Sequence, residues 1–135
     1  MRIVSRLDIK GPNLIKGIQL EGLRVIGDPN YYAKKYFDDG IDELLLVDCV
    51  ASLYGRNNLV DIIKKASDEI FVPITVGGGI RSISDAENLF MSGADKIAIN
   101  SKAIVDPDII NNLANNFGSQ AVVCSIQAKK VNNNK

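Results

Sequence analysis

Short apolar runs alternate along the chain with longer stretches in which apolar residues recur every three or four positions. Arg2 to Leu7 is the first short run and reads as a strand. Glu43-Leu44-Leu45-Leu46-Val47-Asp48 is the second, apolar at consecutive positions as expected of a parallel strand covered on both faces. Pro73 to Val76 makes the third and leads into Gly77-Gly78-Gly79, Lys96 to Asn100 the fourth, and Ala121 to Ile126 the fifth. Four helices separate them. The first spans Pro29 to Asp39 and closes at Gly40, with Asp28 as N-cap and Pro29 in the first turn, where its missing N–H does no harm. Asn57 to Ile70 carries Leu59, Ile62, Ile63, Ala66 and Ile70 at helical spacing. Ser84-Asp85-Ala86-Glu87 reads as a capping box opening a third helix that ends near Gly93. Asp106-Pro107 starts the fourth, which turns Ile109, Ile110, Leu113 and Phe117 inward and closes at Gly118.

Each crossover is long enough for parallel pairing, so the unit being repeated is β–α. A faint internal repeat supports this: Gly40-Ile41-Asp42-Glu43 before strand two matches Gly93-Ala94-Asp95-Lys96 before strand four. An open doubly wound sheet would also alternate in this way, but the glycine turn lacks the G-x-G-x-x-G spacing of a dinucleotide site. Polar residues collect instead at the carboxyl ends of several strands, at Asp8, Asp48, Gly77 to Gly79, Asn100 and Gln127. That distribution marks the eight-stranded βα barrel, the (βα)8 TIM barrel of the α/β class. Such a barrel needs about 250 residues. Residues 1–135 are therefore expected to be the amino-terminal part of one barrel domain, with the first five strands and four helices, cut short after strand five.

Composition narrows the chemistry. The chain has 135 residues, no net formal charge and no basic stripe, which argues against a nucleic-acid partner. No apolar stretch is long enough to span a membrane, and Arg2, Arg6 and Asp8 interrupt the first apolar run where a signal peptide would be unbroken. A cytoplasmic location is expected. Histidine is absent, which excludes a histidine triad or histidine metal site within this segment, and no metal or cofactor is expected. Acid–base work falls to Asp, Glu, Lys, Tyr or Cys. Cys49 and Cys124 sit inside strand-like runs without a ligand-spaced partner and read as small core residues.

Several segments together resemble the cyclase subunit of imidazole glycerol phosphate synthase. They are Leu7-Asp8-Ile9-Lys10, Lys16-Gly17, Gly27-Asp28-Pro29, Gly40 to Leu44, Asp48 with Ala51-Ser52, Thr75 to Ile80, Gly93 to Lys96, Ile99-Asn100 and Phe117 to Val122. The resemblance implies a βα barrel of two similar halves in histidine biosynthesis. It also implies a heterodimer with a glutaminase subunit that supplies ammonia. The implied substrate is a phosphorylated ribulosyl aminoimidazole nucleotide, converted to imidazole glycerol phosphate and an aminoimidazole carboxamide nucleotide. Gly11 to Leu14, Leu20 to Arg24 and Ala51 to Asn58 look more like a cyclase-like relative that serves sugar amidation in surface polysaccharide synthesis. A non-catalytic half-barrel that binds phosphate ligands is the reading from another class.

The resemblance places the family's two catalytic aspartates at Asp8 and at the position held here by Gln127. Asp8 can exist in both protonation states and so can carry a proton, whereas the Gln127 amide cannot. Gly77, Gly78 and Gly79 let backbone N–H groups approach a ligand with no Cβ in the way, which suits a phosphate; Asn100 and Ser101 can add side-chain donors. A tight turn without a ligand is the competing reading. Lys16, on the long first loop, is the expected cationic partner for substrate, and Asp48 a contact for a substrate hydroxyl or for a neighbouring residue. Glu43, Lys96 and Arg2 begin their strands and can pair at the floor of the barrel. The resemblance adds that this cluster gates ammonia and that Asp95 lies at the glutaminase interface.

Overall fold

The computed structural model describes residues 1–17, 23–50 and 56–128. Seven strands form one sheet: β1 (Val4–Lys10), β2 (Asn13–Gly17), β3 (Leu23–Gly27), β4 (Glu43–Asp48), β5 (Ile74–Gly77), β6 (Lys96–Ile99) and β7 (Val122–Cys124), in the order β3-β2-β1-β4-β5-β6-β7. The helices are α1 (Pro29–Asp38), α2 (Arg56–Glu69), α3 (Ile83–Ser92), α4 (Ser101–Val105) and α5 (Asp108–Phe117). The five parallel strands expected from the sequence are β1, β4, β5, β6 and β7, joined side by side in chain order. A doubly wound sheet reverses its strand order part-way and carries helices on both faces. Here the order never reverses and the sheet is not closed, which is the arrangement of a partial βα barrel.

One face of this sheet is covered. Leu7 and Ile9 of β1, Leu44 and Leu46 of β4, Ile74 and Val76 of β5, and Ile97 and Ile99 of β6 alternate onto that face. There they form one core with Leu59, Ile62, Ile63 and Ala66 of α2, Ala86 and Leu89 of α3, and Ile109 and Leu113 of α5. Helix entry and exit follow the local chemistry. Asp28 Oδ1 accepts from Asn30 N at 3.1 Å with Pro29 at the first turn, and buried Asn30 donates its Nδ2 to Ile62 O at 3.0 Å, tying α1 to α2. The capping box of α3 is shifted two residues from its expected place: Ser82 is the N-cap and accepts from Asp85 N at 3.1 Å. Gly93 closes α3 at φ +119, where a Cβ would stand 2.6 Å from Ser67 Cβ on α2.

Three expectations are corrected. Residues 10–28 are not simply a long loop: β2 and β3 form an antiparallel hairpin, and β2 pairs with only the last two residues of β1, Ile9 and Lys10. Leu14 and Ile15 are buried at the base of that hairpin, a local pattern too short to distinguish from a loop by period alone. A five-residue helix, α4, occupies Ser101–Val105 before Asp106. Finally, both cysteines are exposed rather than core residues. Cys49 lies just past the end of β4, and Cys124, though in register with buried Ile99 on the helix-covered side, ends the edge strand β7 and stays exposed.

Candidate functional site

The uncovered face of the sheet collects the complementary set of side chains. In register across it lie Val4, Arg6 and Asp8 of β1, Glu43, Leu45 and Val47 of β4, Thr75 and Gly77 of β5, Lys96 and Ala98 of β6, and Val123 of β7. None of these belongs to the helix-covered core. In a closed barrel this face is the interior. Asp8 pairs in register with Val47, and Val47 with Gly77, so Asp8 and the first residue of the glycine turn share a face two strands apart, about 10 Å between Cα atoms.

Asp8 is half-buried and, among the described residues, pairs with Arg6, whose Nε donates to its Oδ1 at 2.8 Å. Sequence reading passed over Arg6. The signal was available in the i, i+2 alternation of β1, which places two side chains of opposite charge on one face. The Cys49 thiol stands close to the same pair. Partial burial pushes it above its ordinary value; the carboxylates of Asp8 and Asp48 push the same way, while the Arg6 guanidinium and a backbone hydrogen bond from Ile9 partly offset them.

The glycine turn is shaped first by the neighbouring strand. Gly78 has φ +96, and a Cβ there would lie 2.2 Å from the carbonyl oxygen of Asp48. Gly77 faces Ala98, whose Cβ is 3.3 Å from where a Cβ on Gly77 would be. Asp48 Oδ1 accepts from Val50 N at 3.0 Å, forming the turn that leaves β4. Asp48, Gly78, Gly79 and Ile80 also line a cavity of about 490 Å³ between α2 and α3, together with Lys64 and Asn88. Asn100 precedes α4, is half-buried, and makes no side-chain capping bond; Ser101, exposed, is the first residue of α4. Lys16 is exposed on β2, opposite Arg24 of β3, and so belongs to a strand instead of a loop. Gln127 is exposed, three residues beyond the end of β7. The segments 18–22 and 51–55, on which part of the substrate reading rests, lie outside the described residues.

At the opposite end of the same face, Glu43 lies between two cations. Its Oε1 takes a hydrogen bond from Arg2 Nη1 and has Lys96 Nζ at 3.6 Å. With its side chain only 12% exposed, Glu43 is the most enclosed member, and the two flanking charges offset its desolvation. Asp95 is held differently. Its Oδ2 accepts from Ile74 N at 2.8 Å while its own N–H donates to Ile74 O, so it fixes the start of β5. Asp42 makes the equivalent contact to Ile3 N at 2.6 Å ahead of β1. Among the described residues, no cluster of three or more His, Cys, Asp or Glu side chains could hold a metal ion, and no helix is long and apolar enough to cross a membrane.

Comparison with known proteins agrees with this architecture. The imidazole glycerol phosphate synthase subunit HisF of Legionella pneumophila is 58% identical over 135 residues, all of this chain and 64% of that protein. The subunit of the same name from Campylobacter concisus is 48% identical over 132 residues, 98% of this chain and 53% of its own length. That of Dictyoglomus thermophilum is 45% identical over 129 residues, covering 96% and 51%. The chain thus spans between 51% and 64% of these relatives. The sequence profile described as histidine biosynthesis protein matches residues 2–135, and the chain belongs to that family.

Proposed function

We propose that the chain is the amino-terminal part of a βα-barrel cyclase, a subunit of imidazole glycerol phosphate synthase that works with a glutaminase partner. The observation that supports this best is the 58% identity to a subunit of that name over every residue of the chain. In this reading the remaining strands of the domain pair with the open edges of β1 and β7. Ammonia enters past the Arg2, Glu43 and Lys96 cluster and moves along the uncovered face toward Asp8. Asp95, at the start of β6, borders the face on which the partner docks.

The chemistry is divided among the strand ends. Backbone N–H groups at Gly78 and Gly79 and the Asn100 and Ser101 side chains receive a phosphate of the substrate, and Lys16 supplies a cation from the hairpin above. Asp48 shapes the turn beside that cradle. Asp8 moves the proton during addition of ammonia and closure of the imidazole ring. Gln127 orients substrate or water, because its amide has no useful ionisation. Proton transfer therefore rests on one carboxylate where the family places two, and loss of one acid–base partner costs about 10² to 10⁴ in rate.

The test uses a complete barrel that carries this chain as its amino-terminal part, assayed with ammonia and the nucleotide substrate. Cyclisation is expected to be slow, to rise in Gln127→Asp and to fall by about 10² to 10⁴ in Asp8→Asn. Turnover indifferent to both substitutions would overturn the assignment. The segments Gly11 to Leu14, Leu20 to Arg24 and Ala51 to Asn58 favour a second reading, in which the same barrel delivers ammonia to a phosphorylated or nucleotide-linked sugar without ring closure, while Gln127 favours a non-catalytic half-barrel. Amidation of such a sugar, with no imidazole product even in Gln127→Asp, would select it. Phosphate binding without either reaction would leave a non-catalytic half-barrel.

A further inference from the structure

The uncovered face carries a charge that the cyclase reading leaves without a task. Arg6 and Asp8 are two residues apart on β1, so the pleat turns both toward that face. Arg6 Nε donates to Asp8 Oδ1 at 2.8 Å. The two side chains remain 49% and 37% exposed, so this pair contributes little to folding and a purely structural purpose explains it poorly. A guanidinium is planar and stays charged throughout the working pH range, so a bond through Nε restricts the rotation of the partner carboxylate without exchanging protons with it. Arg6 itself cannot serve as acid or base. Nor does Gln127 offer a second ionised group to hold the carboxylate across the sheet.

We propose that Arg6 is the positioning residue of Asp8, holding its carboxylate in one orientation on the face where substrate binds. The consequence for the reaction rests on the cyclase reading above. The clamp itself does not, because the Cys49 thiol reports on it without any turnover. That thiol feels the Asp8 carboxylate and the Arg6 guanidinium in opposite directions.

The experiment is a double-mutant cycle on the pH dependence of Cys49 alkylation by iodoacetamide, read by peptide mass so that Cys124 is counted separately. The proteins are the 135-residue chain, Arg6→Gln, Asp8→Asn and the double variant, each first checked for folding by circular dichroism. Two charges fixed independently act on the thiol additively; a carboxylate that moves when its clamp is removed does not. The alkylation midpoint should fall in Asp8→Asn and rise in Arg6→Gln, and the effect of Asp8→Asn should differ between the two backgrounds. Arg6→Lys, which keeps the charge without the guanidinium fork, should restore the midpoint only in part. An equal effect of Asp8→Asn in both backgrounds overturns the proposal. In a complete barrel, Arg6→Gln should lower kcat roughly 10- to 100-fold with little change in KM, the scale expected when a reacting group is misplaced. It should add no further loss on top of Asp8→Asn. A loss that falls on KM, or that adds to Asp8→Asn, also overturns it. Coupling at the thiol together with an absence of cyclisation would uphold the clamp and remove the cyclase reading.

Discussion

At Gly78 the backbone passes so near the end of β4 that the hydrogen in place of a side chain is a packing requirement. Gly78→Ala combines that clash with φ +96, and should cost on the order of 3 kcal/mol of stability in a chemical denaturation experiment. A loss of phosphate affinity in this variant would thus follow from misfolding as readily as from a lost cradle. Asn100→Ala is the cleaner probe, since its side chain makes no capping bond. Cys49 gives the pH prediction. Its thiol is raised in the folded chain, mainly by partial burial and next by Asp8. Over the interval above the ordinary thiol value, the folded state holds a proton that the unfolded state has lost, so stability falls as pH rises through it. The contribution is complete below that interval. The thermal midpoint should decline with pH there in the native chain and decline less in Cys49→Ser.

The Gly-x-Asp repeat acquires a physical meaning at the level of elements. In both copies the residue after glycine donates its N–H back to the preceding helix, Ile41 to Tyr36 O and Ala94 to Leu89 O. In both copies the aspartate then binds the backbone at the start of the adjacent strand, Asp42 at Ile3 and Asp95 at Ile74. Each unit therefore closes a helix and sets the register of its neighbour. Asp95→Ala should destabilise by about 1.5 to 3 kcal/mol, as expected for a charged acceptor on a partly buried amide. Asp42→Ala, at an exposed amide, should cost less, and the two losses should add because the sites belong to different strand pairs. The helix pattern was legible because burial repeats along it: Leu59, Ile62, Ile63, Ala66 and Ile70 are all buried as spaced. The hairpin was not, because β2 and β3 are five residues each and their register depends on pairing with β1. The α3 cap was misplaced because Ser82 and Ser84 both fit the capping pattern locally, and only the backbone at Ser82, φ −147 and ψ 165, distinguishes them.

For the whole molecule, the sheet edges and uncovered face govern behaviour in solution. β2 pairs with only the last two residues of β1, leaving the edge from Val4 to Asp8 without a strand among the described residues, and β7 is the opposite edge. Val4 is 48% exposed and Val123 38% on that same face. Unpaired edges beside exposed apolar side chains favour strand addition. The 135-residue chain should therefore associate in a concentration-dependent way in sedimentation velocity, whereas a monomer at every concentration would show that both edges are adequately protected. The five parallel strands, most helix faces and the strand-end positions of Asp8, Glu43, Lys96 and the glycine turn were readable from sequence, because periodicity and strand-end patterning are local. Opposing charges at positions 2, 43 and 96 were also readable, but their convergence on Glu43 required strands to be placed side by side. So did the strand placement of Lys16, the exposure of both cysteines, and the dependence of Gly78 on the Asp48 carbonyl, whereas Arg6 and Asp8 meet within a single strand. The linear order of residues determined what each segment could become; only the stacking of distant strands decided which side chains would meet, since those distances follow from register and burial across the sheet.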